Sequence, residues 1–298
     1  MTENKNKKMA VLGRLTLLAT TIIWGTSFVV LKNTLDSIST PYVLAFRFAG
    51  AAVVLLLFSI RDLKKLDRQY LKGGIGMGMC IFVAYVLQTY GLAYTTPGKN
   101  AFLTATYCVL VPFLAWAVYR RKPDRYNILA AVVCIVGIGL VTLNEDLSVN
   151  FGDLLTIGSG LFYALHILIT DRYVEGRSVI LMTFLQFATG GVLAWILALL
   201  TGPFPSQIPT DSVLSLAYLC IMCTAVSFSM QAFGQKHTPA SGSAVILSLE
   251  SVFGALFSAI FYHEKMGFKL LLGFVLIFVA VLISETKLSF LRKKKSDS

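Results

Sequence analysis

The chain has 298 residues, of which 56% are hydrophobic and only 14% charged. Soluble domains run at about 45–50% apolar and about 25% charged, so this composition excludes a disordered chain and an ordinary soluble enzyme and points to a polytopic membrane protein. The net charge of +11 would suggest nucleic acid in a soluble domain, but here the basic residues sit in short loops between apolar runs, where topology explains them and no nucleic-acid partner is expected.

In chain order, residues 1–9 form a tail carrying Lys5, Lys7 and Lys8. The apolar run behind it is too long for a signal peptide's hydrophobic region and lacks a clear small-x-small cleavage site, so it reads as a retained first span. A membrane helix needs about 20 mostly apolar residues. Ten segments qualify: 10–31, 41–60, 72–92, 98–119, 126–143, 153–171, 178–201, 212–235, 240–262 and 267–286. The predicted fold is therefore all-α, with ten transmembrane helices and a basic tail at 287–298. Pro203, Pro205 and Pro209 mark 202–211 as a loop. With the N-terminus inside, 21 of the 26 Lys and Arg residues fall on the inner side and four outside, with Arg47 within a span. The positive-inside rule then places both termini in the cytoplasm and the chain in the cell membrane, surrounded by lipid.

The chain repeats itself. Shifting by 143 residues pairs Gln88 with Gln231, Gly91 with Gly234, Tyr107 with Glu250 and Tyr119 with Tyr262, without gaps. Shifting by 139 pairs Trp24 with Tyr163, Ser27 with His166, Arg47 with Gln186 and Phe48 with Phe187. The repeats are 10–143 and 153–286, five spans each. An odd number of spans forces the second half into the membrane upside down. Two inverted five-helix repeats are a signature of secondary transporters, with the substrate held between the halves.

Trp24-Gly25-Thr26-Ser27-Phe28, the segment Gln88 to Pro97, the segment Phe102 to Pro112, and Ser248-Leu249-Glu250 followed by Tyr262-His263-Glu264 carry a resemblance. Together they resemble the EamA branch of the drug/metabolite transporter superfamily, over about residues 15–285. The resemblance implies ten helices in two inverted repeats and transport of small organic metabolites, often amino-acid export. The ninth helix departs from the family's usual Glu-Pro by carrying Ser251 after Glu250.

Polar side chains inside a span face the bundle interior or a wet cavity. Glu250 lies about 15 Å into the ninth span at 1.5 Å per residue. It shares a face with Ser243, Leu247 and Gly254. It is a candidate for binding a substrate amine or coupling transport to protons; the competing role is a structural hydrogen bond. The matching face of the fourth span carries Asn100, Thr104, Tyr107 and Val111. Trp24 and Ser27 share a face of the first span, and Tyr163 and His166 share one of the sixth. Aromatic bodies beside polar groups suit an organic ligand. For His166 a proton relay competes with a satisfied interior histidine. Gln88 and Gln231 line a cavity or tie helices together, and Thr224 and Ser227 share the face of Gln231. Arg47 lies about 9 Å from the end of its span and is expected to snorkel or pair structurally rather than to bind substrate. Asp153 reads as a helix cap, and Gly73, Gly74, Gly76 and Gly78 as close helix packing.

The nearest approach to a P-loop, Gly98-Lys99, has Ala93 in place of the first glycine and Asn100 in place of Ser or Thr, which excludes a nucleotide site. Cys220 and Cys223 form a lone CxxC without a second pair, read as two small side chains rather than a metal site. No cofactor is expected, and the chain is not an enzyme. The predicted function is secondary active transport of a small-molecule substrate, amino acids or related metabolites, in the export direction, with protons as the candidate coupling ion. Uptake of a vitamin or metabolite, and multidrug efflux, are the alternatives. Nothing in the sequence specifies an oligomeric state.

Overall fold

The computed structural model describes residues 2–120, 122–143, 149–238 and 246–287, with backbone alone at 2–7, 119 and 285. Ser243, placed on the face of Glu250 above, lies outside these residues. The helices in chain order are α1 (Thr2–Leu35), α2 (Thr40–Ser59), α3 (Arg68–Tyr94), α4 (Pro97–Thr104 and Tyr107–Tyr119), α5 (Arg125–Thr142), α6 (Phe151–Val174), α7 (Val179–Thr201), α8 (Thr210–His237), α9 (Leu249–Phe261) and α10 (Phe268–Thr286). Eight are long and apolar enough to cross a membrane, and α9 and α10 are shorter apolar helices. Many of their large apolar residues, among them Leu57, Phe58, Leu200 and Phe268, are exposed, as a lipid-facing surface requires.

Local signals start the helices. Asp67 accepts the Tyr70 N–H, Thr96 caps α4, and Asp124 accepts the N–H groups of Tyr126 and Asn127. Asn150 takes the Gly152 N–H at 2.7 Å, so Asn150 is the cap of α6. This corrects the expectation for Asp153, which sits inside the first turn. There it is fully buried, pairs with Lys99 at 2.8 Å and accepts from Thr95 Oγ1 at 2.6 Å.

The packing follows an inverted twofold. Helices α2 and α7 pair with each other, as do α4 with α9 and α5 with α10. Helix α3 packs on α6 as α8 packs on α1, and α4 on α6 as α9 on α1. Each contact maps onto another when the halves are exchanged. Paired glycines give the sharpest instance. A Cβ on Gly91 would lie 2.7 Å from the Gly152 carbonyl oxygen, and one on Gly234 would lie 2.9 Å from that of Gly13. Gly73, Gly74 and Gly78 also sit against neighbouring helices with no room for a Cβ, whereas Gly76 meets Ile169 only at 3.6 Å and is not a close approach.

Two spans expected to be continuous are interrupted. Helix α4 breaks at Ala105–Thr106, and the chain turns at Ser248 just before α9. These breaks coincide under the 143-residue shift: Cys108 N–H donates to the Ala105 carbonyl, and Ser251 N–H to the Ser248 carbonyl. Tyr107 and Glu250 follow the two breaks directly. In α8, Ile221–Val226 forms a π-helical turn. Thr224 and Ser227 hydroxyls bond to carbonyls five residues back. Such a turn loosens the backbone ladder locally and is frequent at functional sites.

Candidate functional site

A cavity of about 50 Å³ lies between the halves, lined by residues of both. It has room for a handful of waters, so an organic ligand needs it to widen. Nine of the ten candidate site residues line it: Trp24, Ser27, Gln88, Thr104, Tyr107, Tyr163, His166, Gln231 and Glu250. Asn100 does not. Its amide donates to Thr156 Oγ1 at 2.7 Å and to the Gln88 carbonyl at 3.2 Å, which spends it on tying α4 to α6 and α3.

Glu250 is buried at the start of α9 and lines the cavity together with Tyr107. The acid of one half thus shares the cavity with the phenol that its repeat counterpart supplies. Tyr163 donates to Gln88 Oε1 at 2.7 Å, and Gln88 Nε2 donates to Thr104 Oγ1 at 2.9 Å. Gln88 is therefore held on both faces of its amide. His166 Nε2 lies 2.9 Å from Gln186 Oε1.

The π-helical turn decides how Trp24 sits. The Cys223 carbonyl accepts the Trp24 indole N–H at 3.0 Å. The ring then packs 5.0 Å from Phe228, while Tyr85 and Tyr163 lie with ring centres 5.7 Å apart. The result is an aromatic wall with polar groups set into it, the usual make-up of a small-molecule pocket.

Arg47 overturns the snorkelling expectation. It is 1% exposed and lines the cavity. Its Nε donates to Thr224 Oγ1 at 2.7 Å, and its guanidinium carbon lies 4.7 Å from the centre of the Tyr85 ring. A residue this deep in a span can point either way along the helix; a hydroxyl offered by α8 draws it inward. Tyr85 and Phe228 also line the cavity and were not singled out from the sequence, because isolated aromatics in an apolar span carry no local signal.

Ten spans bring the start of α1 and the end of α10 to the same end of the bundle. At the opposite end, Glu264 in the α9–α10 connection reaches the start of α4. Its carboxylate accepts the Gly98 N–H at 2.9 Å and the hydroxyls of Thr96 and Ser258. A carboxylate at a helix N-terminus satisfies orphan N–H groups and complements the helix dipole. Beside it Lys32 Nζ donates to the carbonyls of Leu92, Ala93 and Thr95 at the end of α3. This end is closed by polar ties. At the terminal end Asp62 accepts from Ser178 and Lys65, and Asp124 pairs with Lys287 at 2.6 Å.

The model of the EamA-like transporter family matches residues 11–143 and 150–286. An uncharacterised transporter of Archaeoglobus fulgidus is 32% identical over 268 residues, covering 88% of this chain and 82% of that protein. The transporter YoaV of Bacillus subtilis is 24% identical, with 93% of this chain and 97% of YoaV aligned. Protein PecM of Dickeya dadantii is 22% identical over 92% of each chain. A solved crystal structure shares the fold with a TM-score of 0.68 at 13% identity, covering 97% of this chain and 99% of its own. Two matched segments that together span nearly the whole chain, on ten helices related by an inverted repeat, lead to one conclusion: the chain belongs to the EamA-like transporter family of the drug/metabolite transporter superfamily.

Proposed function

We propose that this membrane transporter exports amino acids or related small metabolites by alternating access, with both termini in the cytoplasm. In this reading 10–143 and 153–286 are the two working halves, flanked by tails at 1–9 and 287–298, and the cavity between the halves is the transport site. The observation that supports it is Glu250, a buried acid facing a cavity of aromatic and amide groups. A neutral acid at this depth avoids most of the cost of inserting a charge, about 2.5–3.5 kcal/mol on insertion scales. It can give up that proton when a substrate amine arrives, which couples substrate to protons.

The test is transport in proteoliposomes loaded with radiolabelled amino acids, under an imposed pH gradient. Saturable flux that follows the gradient supports the reading. Current that does not saturate identifies a channel, and absence of flux for every amino acid removes the substrate assignment.

A further inference from the structure

We propose that Arg47 is a specificity-determining residue that receives the anionic group of the transported molecule, so that the substrate carries a carboxylate. The proposal rests on the cavity's being the transport site and adds to the role of Glu250 there.

The first argument is unmet charge. Arg47 is 1% exposed, and among the described residues no Asp or Glu lies within ion-pairing distance of it. A buried guanidinium without a counter-ion is costly, and intramembrane charges of this kind mark substrate paths.

The second is geometry. A guanidinium presents five N–H groups in a planar fork. Nε is spent on Thr224 Oγ1 at 2.7 Å. Nη2 has only the long contacts to the Tyr85 hydroxyl at 3.3 Å and the Cys223 carbonyl at 3.5 Å. The side chain lines the cavity, and the donors left on the fork match the two oxygens of a carboxylate.

The third is the repeat. Gln186 occupies the equivalent place in the second half, where it bonds His166 across to α6 at 2.9 Å. A neutral amide therefore suffices to tie helices at this position, and the positive charge of Arg47 is surplus to that task. Glu250 likewise stands opposite a neutral counterpart, Tyr107. Each half thus brings one ionisable group to the cavity, a base from one and an acid from the other. An occupant with a cationic and an anionic end answers both.

The experiment is thermal stabilisation of the purified full chain by three probe sets. These are L-amino acids with neutral side chains, their primary amides, and the corresponding amines lacking the carboxyl group. At least one free amino acid should stabilise the wild type, with an apparent affinity at least about tenfold better than its amide and its amine, as expected for one charge-assisted hydrogen bond. In Arg47→Gln that discrimination should vanish, and Arg47→Lys should keep part of it. If an amino acid and its amide bind the wild type alike, the role of Arg47 is overturned while the transport reading stands. If no probe in any set binds, both fall. If Arg47→Gln does not fold, the comparison of probes on the wild type still decides.

Discussion

The Glu264 carboxylate, from the connection between α9 and α10, accepts the backbone N–H of Gly98 at 2.9 Å, 166 residues away in sequence. It closes one end of the bundle by capping a helix of the other half. A Cβ on Gly98 would lie 2.6 Å from Glu264 Oε2, so the latch needs glycine there. Both Gly98→Ala and Glu264→Ala should loosen this end. Losing a charge-assisted bond shifts a two-state gate by about tenfold or more. In a background without the five cysteines, a cysteine at Ser27 should react several-fold faster with a water-soluble maleimide in either variant. Unchanged rates would show that the contact is not a gate.

Orientation has its own check. A cysteine at Ser206, in the loop between α7 and α8, should be labelled by an impermeant reagent on intact cells. Labelling at Ser296 instead would reverse the orientation, and with it the side on which Glu264 acts.

Helix approach at the paired glycines should be intolerant of any side chain. Gly91→Ala and Gly234→Ala should each lower stability by about 1–3 kcal/mol, the usual cost of overpacking. Gly76→Ala serves as the control, since its Cβ meets ordinary van der Waals contact, and should leave the melting temperature within a degree or two. Equal tolerance at all three positions would contradict the close packing of α3 on α6 and of α8 on α1.

Replacing Glu250 separates coupling from structure. Glu250→Gln preserves shape and hydrogen-bonding capacity but carries no titratable proton. It should fold, retain substrate exchange and lose accumulation driven by a pH gradient. Wild-type accumulation in this variant would end the coupling role. Tyr107→Phe, which leaves the acid in place, should keep coupling.

The number of spans, their α-helical character and the repeat were legible in the sequence. Hydrophobic run length is a local property, and the insolubility of unpaired backbone in lipid leaves a long apolar run only the helix. Polar groups are scarce in those runs, which makes Glu250 and the two glutamines conspicuous in the sequence itself, as is Trp24 deep in the first span. Tertiary structure decided what depended on a neighbour. Arg47 at its depth in α2 can reach either the membrane surface or the interior, and Thr224 on α8 settles which. The π-helical turn that presents the Cys223 carbonyl to Trp24 packs against α1 and α2, neighbours that its own sequence does not name. Asn100 shares the face of Thr104 and Tyr107 along α4, yet the arrival of Thr156 from α6 turns it into a tie instead of a lining group. Glu264 reaches Gly98 only because the inverted halves interlock. Helical spacing says which residues share a face, and only the partner helix says what that face meets.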